Sequence, residues 1–216
     1  MGFRDRADAG RILAADLAHL AGRDDVVVLG LPRGGVPVAY EVARALRAPL
    51  DVFLARKLGV PGQPELAMGA IASGGVRVLH QAVIDALAIA PEAIEEVAAR
   101  EAEELVRREQ AYRSGRPPLD VAGRTVVVVD DGLATGATMR AAVTALRAQR
   151  AGRIVVAVPL GPRETCDGMA GEADEVVCSR MPRSFQAVGQ WYEDFSPTTD
   201  EEISDLLAVE GDDHGE

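Results

Sequence analysis

Residues Thr125–Thr138 read TVVVVDDGLATGAT, and this stretch decides how the rest of the chain is read. The four valines Val126–Val129 form an unbroken β-branched run, the pattern of a strand buried on both faces. The run ends at two adjacent acids, Asp130 and Asp131. A loop of small and hydroxyl-bearing residues follows: Gly132, Leu133, Ala134, Thr135, Gly136, Ala137 and Thr138. Met139–Gln149 then shows helical spacing, with Met139, Val143 and Leu146 on one face. A strand, a small-residue loop and a helix N-terminus make an anion site, because backbone amides and hydroxyls converge where side chains do not obstruct them. Carboxylates repel phosphate but accept hydrogen bonds from sugar hydroxyls. The combination suits one ligand carrying a vicinal diol and a phosphate on the same sugar, a ribose 5-phosphate or a derivative of it.

The stretch resembles the phosphoribosyl pyrophosphate (PRPP) signature of the type I phosphoribosyltransferases: hydrophobic strand, two acids, two variable residues, a small residue, Thr-Gly, any residue, Thr or Ser. The resemblance extends over roughly residues 26–205. It implies an α/β fold, a Rossmann-like parallel sheet flanked by helices, with a small C-terminal hood (about 180–198) and an inserted long helix (about 81–115). On this reading residues 1–209 are one domain and 210–216 an acidic tail, expected to be disordered. Asp130 and Asp131 would take the ribose hydroxyls and stabilise the reacting sugar, and residues 132–138 the 5-phosphate. Mg2+ would arrive with PRPP near the two acids, with no direct protein ligand.

A second strand, Val26–Leu31, runs into Pro32-Arg33-Gly34-Gly35-Val36-Pro37 and then a helix. The loop lacks GxGxxG, and neither loop contains GK[ST], so dinucleotide and P-loop readings are excluded. An arginine with exposed amides at a helix start suits pyrophosphate. The segment is similar to the family's pyrophosphate loop, which implies a cis peptide between Pro32 and Arg33. Pro49–Ala55 reads as the next strand, and Arg56-Lys57 at its end would receive the leaving pyrophosphate on the sheet rim where open α/β sheets bind ligands. Leu58–Leu66 is rich in Gly and Pro and reads as a mobile loop; the family closes such a loop over its site, and Glu65, its one acid, is a candidate to protonate or orient the acceptor. Residues 68–72 and 76–79 flank Ser73-Gly74-Gly75 as a hairpin.

Elsewhere the pattern is structural. Residues 5–21 form an amphipathic helix capped by Asp5 or Asp8. Pro91–Tyr112 form a long helix with Glu-to-Arg pairs at i, i+4: Glu96–Arg100, Glu103–Arg107, Glu104–Arg108 and Glu109–Arg113. Strands at residues 153–159 and 174–178, with a short helix from Pro162, continue the alternation that implies a parallel sheet. Residues 181–195 hold the single tryptophan and resemble the hood of purine phosphoribosyltransferases, offering Trp191 or Tyr192 as a platform for a planar base. Thr199–Glu202 is a capping box.

Composition narrows the function. A net charge of −11, from 34 acids against 23 lysines and arginines, excludes an extended nucleic-acid surface. No apolar run reaches membrane-spanning length and no signal-peptide core is present, so a cytoplasmic protein is expected. Cys166 and Cys178 have no metal-site spacing. The expected activity is transfer of the phosphoribosyl group from PRPP to a nitrogenous base by a homodimer; the alternative is a regulator that senses PRPP or a nucleotide. The 6-oxopurine enzymes place an Asp in the phosphate loop facing the purine. Here that position is Ala134, which argues against guanine or hypoxanthine.

Overall fold

The computed structural model describes residues 2–113 and 115–213, the side chains of 209–213 excepted. In chain order the elements are α1 (Arg6–Asp16), β1 (Val26–Gly30), α2 (Gly35–Leu46), β2 (Leu50–Val52), β3 (Ala55–Val60), β4 (Gln63–Ala72), β5 (Val76–Leu79), α3 (Gln81–Ala86), α4 (Pro91–Arg113), β6 (Thr125–Val129), α5 (Ala137–Ala148), β7 (Arg153–Leu160), α6 (Arg163–Met169), β8 (Glu175–Arg180) and α7 (Asp200–Asp213). Five strands form a parallel sheet in the order β2-β1-β6-β7-β8. The valine run is its centre. Val127 and Val129 face a core shared with α1, α2 and α7, while Val126 and Val128 face a core shared with α5 and α6. Both faces are covered, which is why this strand shows no alternation. β1 and β6 lie in register from Val26–Thr125 to Gly30–Val129, so the loops that follow them leave the sheet side by side.

Strand–helix alternation breaks after β2. The stretch Pro49–Ala55 is not one strand: β2 ends at Val52, and β3 belongs to a separate antiparallel sheet ordered β3-β4-β5. The mobile loop expected at residues 58–66 is instead most of a β-hairpin turning at Pro61-Gly62. Gly62 has φ +79°, the conformation that places Gly third in a type II turn after Pro. The strand signal was hidden because residues 63–66 lie on an exposed ribbon and need no apolar face. Gly59 is required there, since a β-carbon on it would stand 2.8 Å from the Pro64 carbonyl oxygen. The β4–β5 hairpin around Ser73-Gly74-Gly75 forms as expected.

This small sheet packs on α5 and on α4. Along α4, Glu104 binds both Arg107 and Arg108, and Glu109 binds Arg113, whereas Arg100 turns to Glu101 rather than to Glu96. Arg113 is buried. Its Nε meets both oxygens of Asp51 at 3.0 and 3.1 Å, and Nη2 donates to the Val52 carbonyl, so α4 is riveted to the end of β2. Asp5, not Asp8, caps α1, through the Asp8 amide at 2.7 Å. The Thr199 hydroxyl accepts from the Glu202 amide, as the capping box requires. α7 runs as far as Asp213, into the segment read as an acidic tail; residues 214–216 lie outside the described residues.

Candidate active site

Two loops meet at the C-terminal rim of the parallel sheet. After β6, Asp130 and Asp131 lead into the small-residue loop, whose Ala134, Thr135, Ala137 and Thr138 are exposed. Gly136, at φ +76°, turns the chain into α5. The loop is braced from beneath: Leu133 N–H donates to the Leu160 carbonyl at 2.8 Å, and the Thr165 hydroxyl donates to the Ala134 carbonyl at 3.0 Å. The open side therefore carries the hydroxyls of Thr135 and Thr138 and the amides of a helix start, of which Ala137 N–H donates to the Thr135 hydroxyl oxygen at 3.4 Å.

After β1, the Pro32–Arg33 peptide is cis, as expected from the resemblance. Gly34-Gly35 packs directly against the acids. A β-carbon on Gly35 would lie 2.6 Å from the Val129 carbonyl oxygen, and one on Gly34 would lie 1.9 Å from Asp131 Oδ2. Only glycine allows the arginine-bearing loop this close to the carboxylates. The Arg33 side chain is exposed, with Nε 3.5 Å from Asp200 at the start of α7.

The acids differ in environment. Burial pushes the Asp130 carboxyl well above the usual carboxylate range, and the neighbouring charge of Asp131 pushes it further. Burial also raises Asp131, but the guanidinium of Arg6 opposes it, with Nε 2.9 Å from Oδ2. Arg6, from the first turn of α1, was not foreseen. The sequence carries no local sign that its partner lies 125 positions away.

A cavity of about 700 Å3 opens between the β3–β4 hairpin, α4 and the first turn of α5. Arg56, Lys57, Arg100 and Thr138 line it. Arg56 is bound to Glu101 of α4 at 2.5 Å, and Lys57 to Glu65 at 2.8 Å. The structure thus brings the basic pair to the phosphate loop, and it adds α4, which sequence reading treated as scaffold, to the wall of the same space.

A phosphoribosyl transferase domain model matches residues 4–192. The chain belongs to the phosphoribosyl transferase family. It is 53% identical over 205 residues to a Mycobacterium tuberculosis protein named "Putative phosphoribosyl transferase", a match found in two strains. That match takes in 95% of this chain and 46% of the relative, so the chain spans about half the length of the curated relatives it matches. The crystal structure of TT1426 from Thermus thermophilus is 46% identical, with a TM-score of 0.88, over 97% of this chain and 99% of that one.

Two site expectations drawn from the phosphoribosyl transferase family meet a different geometry. Tyr192 is buried. Its ring sits 5.4 Å from that of Phe3 and 5.1 Å from that of Phe195, and its hydroxyl donates to the Asp131 carbonyl at 2.6 Å. It braces the acid loop and has no open face for a base; Trp191, partly exposed, keeps that possibility. Glu65 stands in solvent on the hairpin, and Lys57 holds its carboxyl below the usual range. In this arrangement the Glu65 carboxylate is an acceptor paired with Lys57.

The hood is also tied down by the N-terminus. Phe3 N–H donates to the Trp191 carbonyl, Glu193 N–H to the Phe3 carbonyl and Asp194 N–H to the Arg4 carbonyl, at 2.7–2.9 Å. Among the described residues no helix is long and apolar enough to cross a membrane.

Proposed function

We propose that the protein transfers the 5-phosphoribosyl group of PRPP to the nitrogen of a base, releasing pyrophosphate. The observation that carries this reading is the packing of Gly34-Gly35 against Asp131 and Asp130. With that packing, the Arg33-Gly34-Gly35 loop, the two acids and the exposed loop at 132–138 would each meet a different part of PRPP: its pyrophosphate, its ribose hydroxyls and its 5-phosphate. The Thr135 and Thr138 hydroxyls and the α5 amides would hold the 5-phosphate. Asp130 and Asp131 would accept from the ribose hydroxyls. As the bond from C1 to the pyrophosphate oxygen breaks and the base nitrogen bonds to C1, the negative charge of Asp131, beside Arg6, would stabilise the oxocarbenium-like sugar. Arg33, Arg56 and Lys57 would take the pyrophosphate, and the nitrogen's proton would pass to solvent.

Two largely buried carboxylates, only one of them paired with an arginine among the described contacts, fit a site that receives a cation with its ligand. Mg2+ carried by PRPP would neutralise charge on the leaving group, near Asp130 and Asp131. The ion pairs Arg56–Glu101 and Lys57–Glu65 would have to open for pyrophosphate to reach those cations. The hairpin that carries Arg56 and Lys57 would close over the site by moving as a ribbon. A cytoplasmic homodimer is the assembly this family reading implies, and sedimentation of the purified chain measures it.

The test is pyrophosphate release from PRPP and Mg2+ with adenine, guanine, hypoxanthine, xanthine, uracil or orotate, beside Asp131→Asn. Release that needs one base and is lost in the variant supports the transferase and names its acceptor. Binding of PRPP without release for any base would favour a PRPP sensor instead.

A further inference from the structure

We propose that Arg6 is a positioning residue for Asp131, so that the N-terminal helix forms part of the PRPP site; this rests on the reading of Asp131 as a ribose-binding acid. Three observations converge on its guanidinium. Nε donates to Asp131 Oδ2 at 2.9 Å, Nη1 donates to the Ser196 carbonyl at 2.7 Å, and Cζ lies over the Phe195 ring, 4.0 Å from its centroid. Arg6 and Asp131 side chains are only 12% and 15% exposed, so this is not a solvent-screened surface pair. A carboxylate at this depth needs a fixed partner to stay charged. A planar fork held at both ends, and stacked, fixes the direction of that partner as well as its charge.

The position matters as much as the charge. A β-carbon on Gly34 would lie 3.1 Å from Arg6 Nε as well as 1.9 Å from Asp131 Oδ2. The guanidinium therefore sits where the acid loop, the Arg33-Gly34-Gly35 loop and the hood meet. Arg6 would keep Oδ2 engaged and turn the rest of the carboxylate toward the sugar. It would act on the ligand through Asp131, not by touching it.

The experiment is calorimetric titration of the full chain with PRPP in the presence of Mg2+. Arg6→Ala is expected to weaken binding about 10- to 100-fold, the worth of one buried charge-assisted hydrogen bond. Arg6→Lys retains the charge without the fork and is expected to recover part of that loss while melting like wild type. The decisive arm is the double variant: in an Asp131→Asn background, Arg6→Ala should weaken binding less than about threefold further, because the residue it acts through is already disabled. An equal penalty in both backgrounds would overturn the positioning role and leave Arg6 as a staple of the hood. Wild-type affinity in Arg6→Ala would overturn it outright. A wild-type protein that does not take up PRPP at all would instead refute the reading of the site, and this inference with it.

Discussion

Gly34→Ala isolates the contact on which the site depends. Gly34 has φ −63° and ψ −29°, a helical conformation that alanine adopts without strain. On backbone grounds alone the substitution would be neutral or slightly stabilising. The added methyl, however, would lie 1.9 Å from Asp131 Oδ2 and 2.6 Å from its Cγ, where ordinary van der Waals contact begins near 3.4 Å. The carboxylate has to retreat by about 1.5 Å, or the loop has to back away by as much. Asp131 is poorly placed to yield, because Arg6 holds its side chain and Tyr192 its carbonyl. Overpacking of this kind costs about 1–3 kcal/mol of stability, and a displacement of about 1 Å at a reacting centre costs on the order of 100-fold in rate. Gly34→Ala should therefore fold and melt a few degrees low, yet lose about 100-fold in kcat/KM for PRPP, or the equivalent in PRPP affinity. Gly22→Ala, a positive-φ glycine with nothing within 4 Å of its β-carbon position, is the control for backbone strain without collision. Near-wild-type PRPP affinity and turnover in Gly34→Ala would show that the acid need not sit where the structure has it.

Four further perturbations test other parts of the structure. Asp130 holds its proton above the usual carboxylate range when folded but ionises near pH 4 when unfolded, so the folded state binds more protons between those limits and loses stability as pH rises through them. Asp130→Asn removes that loss, so its melting temperature should gain on wild type from pH 4 to pH 8 in the absence of ligand, while PRPP binding falls; a flat or shrinking gap refutes the assignment. Arg113→Leu leaves Asp51 buried without its cation, a cost of about 3–5 kcal/mol, or roughly 6–20 °C in melting temperature for a chain of this size, readable by calorimetry. Tyr192→Phe should cost about 1–3 kcal/mol by stranding the Asp131 carbonyl. Trp191→Ala should instead raise the acceptor KM about 5- to 100-fold if the indole stacks on the base, and an unchanged KM would place the acceptor elsewhere.

What sequence reading recovered and what it missed divide along one physical line. The valine run, the paired acids and the two glycine-bearing loops are local signals: run length, β-branching and turn chemistry act over a few residues, so β1, β6 and both loops were legible. The hairpin at residues 55–72 was not. Its exposed half, Gln63–Leu66, has no face to bury, and a ribbon held mainly by backbone hydrogen bonds leaves little trace in hydropathy. The role of Tyr192 was hard to read for a related reason. An aromatic in irregular sequence can serve a ligand or a core, and what decided it was Phe3, almost the whole chain away and paired with the hood through a backbone bridge.

The long-range partners of the charged groups were the least legible of all. Arg6 finds Asp131, Arg56 finds Glu101 and Arg113 finds Asp51, each across dozens of residues, and in a chain with 34 acids no spacing rule selects among them. These pairings also divide the two halves of the site. Around Asp131, the arginine and acid are both largely buried and fixed by further bonds, so that geometry is already set. On the hairpin, Lys57 and Glu65 meet in solvent, where an ion pair is screened and contributes little. A multiply charged ligand outcompetes such a pair easily. On the proposed transfer, Asp131 would therefore serve placement and Lys57 exchange, the division of labour expected where a sugar must be held still while its leaving group comes and goes.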